Sequence, residues 1–479
     1  MIDRTNEGST GAHVFRIAFV AAIGGFLFGF DLGMIGVANV YLEDQFHLSA
    51  QALGFATASA TLGCIFGPFL GSFLCDSWGR RNTMIAAAVL LAVSAIFTAV
   101  PDLLSDGSAG SIMNTFNIFR FIGGLGVGLC SIASPMYIAE VAPSKNRGAL
   151  GMMYQLAIVV GHAVAPAIGY MIVKILQSQG IEDSVVAANP WQQAWRWMFF
   201  SETICVALFV AFVFGLPRSP RWLVGKGRME EARQVLSSIV NPEYAQSELT
   251  NIRTAIENED EGSWGELFSS RGVRFALMIG ILLAFFNNWT GWSVIGGYVP
   301  RLFESAGFAR DNAIRNYVFV YGAMGVMTVV SLLLSDRIGR RPLWMFASLL
   351  GAAIMLLTGF VFHFDLSGGA VLLVIILVTI PHGIALGGLP WLMMSELYPT
   401  RLRAKAVAIT TTILWCFIFF GAWLFPPILN LSESLVHSEA AAFWLFTGVC
   451  ILSFVFGLTV MPETKGRTLE EIGSSWNKS

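Results

Sequence analysis

The sequence predicts an all-α integral membrane protein whose twelve spanning helices form two pseudo-symmetric halves of six. Three observations predict it. Hydrophobic residues make up 55% of the chain and charged residues only 13%, with a mean hydropathy of +0.66, far more apolar than a soluble domain. The apolar residues collect into twelve runs that meet the ~20-residue length needed to cross a bilayer as helix. A charged phrase is also written twice. Gly71-Ser72-Phe73-Leu74-Cys75-Asp76-Ser77-Trp78-Gly79-Arg80-Arg81 returns 260 positions later as Ser331 through Asp336-Arg337-Ile338-Gly339-Arg340-Arg341, and Glu140-x-x-Pro143-x-x-x-Arg147 returns 256 positions later as Glu396-x-x-Pro399-x-x-x-Arg403. Repetition at so nearly one offset marks a duplicated membrane fold.

The first six runs lie at 15–37, 52–74, 83–100, 114–138, 150–174 and 196–216, and six more at 275–299, 315–335, 343–363, 369–394, 406–429 and 441–461. The fourth, fifth and tenth are Gly-rich or interrupted by Pro, which bilayer helices tolerate when neighbours re-satisfy the backbone. The expected units are an N-terminal half (1–216), a polar linker (217–274), a C-terminal half (275–461) and a tail (462–479). Within the linker, the segment from Met229 to Leu236 and that from Ser247 to Ile256 carry helical periodicity with mixed charge, so short helices are expected there. Arg80, Arg81, Lys145, Arg147, Arg337, Arg340, Arg341, Arg401, Arg403 and Lys405 fall on the linker's side of the bundle, and chiefly Lys174, Arg196, Arg301, Arg310 and Arg315 on the other. The excess makes the linker side, and both termini, cytoplasmic. Polar residues 1–13 precede an apolar run too long for a signal peptide, so no cleaved targeting segment is expected.

The near-neutral net charge of -2 gives no reason to expect a nucleic-acid partner. Cys64, Cys75, Cys130, Cys205, Cys416 and Cys450 lie in or beside apolar runs without metal-ligand spacing and read as small core residues. Nucleophile–base pairs and phosphate-cradling loops are not recognisable, and the Gly-rich fourth run is explained by close helix packing. Neither enzymatic chemistry, nor a metal, nor a cofactor is expected.

Asp and Arg at the end of a spanning helix can pair with each other and with the helix termini, joining neighbouring spans in one state and releasing them in another. Asp76, Arg80, Glu140 and Arg147, with Asp336, Arg340, Glu396 and Arg403, are therefore candidates for such a gate. Asp31 and Arg120 are read as the ionisable residues inside spans of the first half. A charge at the bilayer centre costs about 2.5 to 3.5 kcal/mol, so each needs a partner or a water-filled cavity, and they suit each other. With Arg120 near, Asp31 stays a carboxylate; with Arg120 withdrawn, the desolvated site takes a proton.

These motifs resemble the sugar porter family of the major facilitator superfamily over nearly the whole chain, from Gly24-Gly25-Phe26-Leu27-Phe28-Gly29-Phe30-Asp31 to Pro462-Glu463-Thr464-Lys465-Gly466-Arg467. The most specific piece is Arg120-Phe121-Ile122-Gly123-Gly124-Leu125-Gly126-Val127-Gly128, followed by Pro135-Met136-Tyr137-Ile138-Ala139-Glu140 and Arg147. The resemblance adds Glu463 to the gate, and the Asp at position 31 implies proton coupling. It also implies a Glu where Leu216-Pro217-Arg218-Ser219-Pro220-Arg221 carries Arg218, an inversion that predicts a disturbed N-half gate.

For a sugar site the resemblance implies Gln155 on the fifth helix, with Trp391 and Trp415 on the tenth and eleventh; His162 lies seven residues, about two turns, beyond Gln155 on the same face. On the seventh helix the family pattern Phe-Gln-Gln-x-x-Gly-x-Asn is replaced by Phe286-Asn287-Asn288-Trp289-Thr290-Gly291-Trp292-Ser293, with Gly297 and Tyr298 after it. Shortened amides keep hydroxyl recognition but draw it back by about a bond length each, which predicts an enlarged cavity or a bridging water. Gly388 stands where Pro is usual, and Leu414 and Ile418 where amides are common. His382 is a further titratable group of the tenth helix. The implied function is import of a sugar or polyol with a proton by a monomer in a bacterial inner membrane. A less polar organic solute is the alternative, and a non-transporting sugar sensor is disfavoured by the short tail.

Overall fold

A computed structural model describes residues 4–142, 147–181, 192–239, 242–257, 263–398 and 400–465. Twelve helical stretches are long and apolar enough to cross a membrane, as expected, and the described residues are helix and connecting loop without strands. The first half runs α1 (Arg4–Phe46), α2 (Ala50–Trp78), α3 (Arg80–Ala99), α4 (Ala109–Val141), α5 (Arg147–Ser178) and α6 (Ala194–Val213). Four short helices follow: α7 (Pro220–Gly225), α8 (Met229–Ile239), α9 (Pro242–Glu257) and α10 (Trp264–Ser269). The expected linker helices are α8 and α9.

In the second half the seventh span does not stay one helix. It divides into α11 (Arg271–Trp289), α12 (Trp292–Ile295), a 3-10 turn (Gly296–Tyr298) and α13 (Val299–Ser305). The break falls at Gly291, whose φ of +120° is open to glycine and strained for other residues. α14 (Arg310–Ile338) and α15 (Arg340–His363) follow. The tenth span comprises α16 (Gly369–Pro381), a π turn (His382–Leu386) and α17 (Leu389–Glu396), and α18 (Thr400–Val436) and α19 (Ala440–Thr459) complete the bundle. Pro135 and Pro166 leave α4 and α5 continuous, so Pro interrupts only the tenth span of the three marked in the sequence.

Small residues set how closely the spans approach. A Cβ on Gly29 would lie 1.9 Å from the Ile158 carbonyl oxygen, and one on Gly124 1.8 Å from that of Ala60; these contacts bring α1 onto α5 and α4 onto α2. Across the halves, α2 packs on α18 and α5 on α14. The sequence duplication has a geometric counterpart. Gly79 (φ +87°, ψ 155°) separates α2 from α3, and Gly339 (φ +107°, ψ 159°) separates α14 from α15, so both repeated phrases make the same corner.

Candidate functional site

The deepest charged group lies inside the first half. Asp31 on α1 and Arg120 on α4 are 4% and 1% exposed, and Arg120 Nη1 is paired with Asp31 Oδ1. The guanidinium carbon also lies 5.3 Å from the centroid of the Phe199 ring on α6, a cation–π arrangement that further offsets its desolvation. Asp31 Oδ2 and Arg120 Nε and Nη2 have no protein hydrogen-bond partner among the described residues. The expectation that Asp31 and Arg120 are the ionisable residues within the first-half spans is incomplete. Glu202 on α6, 3% exposed, lies close enough to interact electrostatically with both. Its signal was available, a carboxylate inside the apolar run 196–216.

A chain of rings crosses between the halves. Phe28 on α1 lies 5.3 Å from Trp415 on α18 and 6.3 Å from His162 on α5 (centroid distances), His162 stacks on Tyr321 of α14 at 5.3 Å, and Tyr321 meets Trp292 at 5.6 Å. His162 Nδ1 lies 3.0 Å from the Ile158 carbonyl oxygen and donates to it, leaving Nε2 as the acceptor. Gln155 is half-buried about two turns before His162 on the same helix.

The seventh-helix residues read as one hydroxyl-binding row divide by what they bond. Asn287 Nδ2 donates to the carbonyls of Leu386 (2.7 Å) and Gly387 (2.9 Å), tying α11 to the irregular turn of the tenth span. Ser293 Oγ donates to the Asn287 carbonyl (3.1 Å), and the Tyr298 hydroxyl to that of Ala422 (2.5 Å). These three donors are committed to backbone, a correction to the expected cavity row. Asn288 differs: it is fully buried, its Nδ2 bonds the Ala284 carbonyl in its own helix (3.0 Å), and Oδ1 has no hydrogen-bond partner among the described residues. Trp415 Nε1 and His382 Nδ1, the latter on the π turn, are likewise buried without a partner among the described residues. Buried polar atoms are ordinarily bonded, so an unpaired acceptor and donors around the ring chain suit a hydroxyl-bearing ligand. Half-buried Trp391 packs against Ala284, Met394 and Leu414, one turn from Asn288.

At the linker face, both copies of the gate are built within their own half. Arg80 Nη2 lies 2.8 Å from Glu140 Oε1 and Nη1 3.4 Å from Asp76, whose side chain is 72% exposed. Ser219 donates its hydroxyl to Glu140. The Arg80–Glu140 pair is therefore formed with Arg218 in place, and Ser219 bonds the same carboxylate. In the second half, Arg340 Nη2 lies 3.2 Å from Glu396 Oε1, and Thr464 Oγ1 donates to Glu396 Oε2 at 2.6 Å. Glu463 accepts the backbone amides of Arg340 and Arg341, each at 3.1 Å, so it caps α15. Burial opposes the Glu463 charge, but these amides and that of Lys465 outweigh it and hold the carboxyl below its ordinary range. Arg403 donates to the Tyr398 carbonyl at 3.4 Å. The side chains of Arg147 and Asp336, and the tail from residue 466, lie outside the described residues.

At the opposite face, ion pairs cross between the halves. Arg301 Nε lies 3.0 Å from Glu43 Oε2, Arg310 Nη2 2.5 Å from Asp44 Oδ2, and Lys174 Nζ 2.5 Å from Asp311 Oδ2. Sequence reasoning missed these pairs.

Twelve spans in two related halves, a buried carboxylate–guanidinium pair and a doubled helix-end gate define a transporter of the major facilitator fold. The chain belongs to the Sugar (and other) transporter family, whose model matches residues 17–476, as the resemblance to sugar porters implied. It is 35% identical over 470 residues to the arabinose-proton symporter of Bacillus subtilis (strain 168), covering 97% of this chain and 95% of that protein. To the D-xylose-proton symporter of Escherichia coli (strain K12) it is 31% identical over 490 residues, covering 98% and 97%. The inward open conformation of the xylose transporter XylE from E. coli matches with a TM-score of 0.82 at 30% identity, covering 97% of this chain and 100% of that one. The chain is an integral, multi-pass membrane protein of a transporter family.

Proposed function

We propose that this protein imports a sugar or polyol together with a proton, by alternating access of its two halves. The observation that carries the proposal is the Asp31–Arg120 pair, fully enclosed in the first half with Glu202 beside it. A protein that needed only structure there would be served as well by apolar residues, whereas a proton-coupled cycle requires a carboxylate that can lose its counter-charge and then be neutralised. Arg120 is the counter-charge, Asp31 the proton acceptor, and Glu202 the second carboxylate that Arg120 can face.

The substrate is held between the halves. Asn288 Oδ1 accepts a hydroxyl hydrogen, Trp415 Nε1 donates, and Gln155 and His162 contribute from α5, with Trp391 and Trp415 offering apolar faces to a ring. Asn287, Ser293 and Tyr298 shape this site through the backbone they hold. Asp76, Arg80, Glu140, Arg147, Asp336, Arg340, Glu396, Arg403 and Glu463 form the cytoplasmic gate. The halves correspond to 1–216 and 275–461, joined by 217–274, with 462–479 as a tail. By the positive-inside rule the linker face and both termini are cytoplasmic, the membrane is a bacterial inner membrane, and the monomer is the transporting unit.

One observation favours a less polar organic solute instead: the three second-half donors are spent on backbone, and Leu414 and Ile418 stand where amides are usual. Uptake of labelled sugars and polyols into proteoliposomes, with and without a pH gradient, separates the readings. Gradient-driven accumulation of a sugar is expected. Transport of none of the panel would move the assignment to the organic solute, and transport indifferent to the gradient would remove the coupling.

A further inference from the structure

On the face opposite the linker, Lys174, Arg196, Arg301 and Arg310 pair with carboxylates, and most of those bonds join the halves. Arg301 stands on α13 and Arg310 at the start of α14, both in the second half; Glu43 and Asp44, their partners, close α1 in the first. Lys174 and Gln177 of α5 both reach Asp311, the amide at 3.0 Å. Beneath this rim is a buried polar contact of a different kind. Asn39 on α1, 1% exposed, donates Nδ2 to the Gly297 carbonyl at 3.0 Å, and its Oδ1 lies 3.2 Å from Thr57 Oγ1 of α2, whose one hydroxyl hydrogen is shared with the Leu53 carbonyl at 2.8 Å. The preceding carbonyl, Gly296, accepts from the Tyr317 hydroxyl of α14 at 2.7 Å. That hydroxyl fits against Gly36 of α1, where a Cβ would lie 2.3 Å from it. Two carbonyls of the 3-10 turn between α12 and α13 are thus satisfied from outside the turn, one of them from the opposite half.

Turns of this kind inside a span persist only where neighbours supply the missing bonds. Once α13 moves away from α1, the Gly297 carbonyl loses its donor and Asn39 is left facing an apolar interface, unless water enters. The contact therefore favours the closed arrangement of this face.

We propose that Asn39 is the positioning residue of an outer lock: it fastens the α12–α13 segment onto α1, and the Glu43–Arg301 and Asp44–Arg310 pairs complete the closure at the rim. The proposal rests on the transporter reading for its meaning in a cycle but on contacts alone for the lock itself. Rim pairs with a quarter to a half of each side chain exposed contribute little individually; the buried amide is the larger element.

Hydrogen–deuterium exchange on the purified full-length protein tests the lock without any substrate. Asn39→Leu, close in volume but without the amide, is expected to raise exchange of amides in 292–305 by about 3- to 10-fold, the size of one lost hydrogen bond. Exchange at the linker-face ends of α14 and α15 should be unchanged. Arg301→Glu should raise the same exchange less, and Glu43→Arg combined with Arg301→Glu should restore protection, which also covers the case in which Asn39→Leu does not fold. In proteoliposomes Asn39→Leu should lower the KM for external sugar by up to the same factor, because a larger fraction of molecules presents the open outer face. A merely destabilised protein would lose turnover without that gain. Unchanged protection of 292–305 in Asn39→Leu, or failure of the reversed pair to restore it, overturns the lock. Altered protection in a protein that takes up no sugar leaves the lock standing and overturns the sugar-import reading.

Discussion

Replacing either member of the Asp31–Arg120 pair should have unequal consequences, and the inequality follows from Glu202. The pair's side chains are 6% and 1% exposed, a setting in which removing one partner costs about 3 to 5 kcal/mol because the other charge is left buried and uncompensated. Arg120→Ala leaves two carboxylates, Asp31 and Glu202, without a cation and sits at the upper end of that range. Asp31→Asn leaves Arg120 with Glu202 still beside it and sits at the lower end or below. Combining Asp31→Asn with Arg120→Ala removes both members of the pair and leaves one buried carboxylate, Glu202, without a cation where Arg120→Ala alone leaves two, so the double variant should be more stable than the summed singles by at least ~1.5 kcal/mol, about tenfold in the folding equilibrium. Reversible unfolding in mixed micelles gives the three values. In proteoliposomes Asp31→Asn should lose accumulation driven by a pH gradient while retaining sugar exchange. Additive stability effects would refute the pairing, and concentrative uptake by Asp31→Asn would refute its role in coupling.

Other tests address the remaining groups. Asn288→Ala should weaken binding of a polyhydroxylated substrate by about 1 to 3 kcal/mol, roughly 5- to 150-fold, whereas Asn287→Gln should chiefly lower stability by displacing two backbone bonds; isothermal titration and thermal unfolding separate the two. Arg340→Ala or Glu396→Ala should slow turnover with near-normal expression, since a partly exposed pair contributes about 1 kcal/mol or less; turnover per folded molecule and reactivity of a cysteine placed at the outer mouth measure this, and unchanged values in both would remove the pair from the gate. Burial pushes the Glu439 carboxyl up to about 7, against the bond from Ser305 and the attraction of Arg301. The folded state therefore holds a proton that the unfolded chain, with an ordinary Glu, releases nearer pH 4.5, so stability should fall as pH rises from about 4.5 to 7 and level off above. Glu439→Gln should flatten that part of a pH–stability profile.

What could be read from the sequence was whatever announces itself by type and position. The twelve spans follow from apolar length, and Asp31 and Arg120 stand out as charges in greasy runs. Glu202 was as visible in principle, but its approach to Arg120 depends on how α6 is rotated, which run length does not specify. The hydrogen bonds of Asn287, Ser293 and Tyr298 end on backbone carbonyls, and every residue has one, so no pattern of residue types points to them. The outer ion pairs join residues more than 130 positions apart, and the sequence offers Lys174, Arg301 and Arg310 only as exceptions to a charge asymmetry. Those exceptions are informative once their partners are known: positive charge is retained on the disfavoured face where it closes the bundle.

The short amides acquire a different meaning from the same contacts. A Gln at 287 carries one more methylene than the distance to the Leu386 and Gly387 carbonyls requires, whereas Asn287 reaches both at 2.7 and 2.9 Å. Shortening therefore binds α11 to the π turn of the tenth span and does not simply empty the cavity. That turn lacks the regular backbone pairing of an α-helix and needs outside donors, and Asn287 supplies one from the neighbouring span. Two irregular segments of the second half, the 3-10 turn before α13 and the π turn before α17, are thus each held by a buried asparagine, Asn39 in one case and Asn287 in the other. Asn39 comes from the opposite half and its bond must break when the faces separate; Asn287 comes from the same half and its bond can persist. Of the two asparagines, only Asn39 can distinguish the open outer face from the closed one.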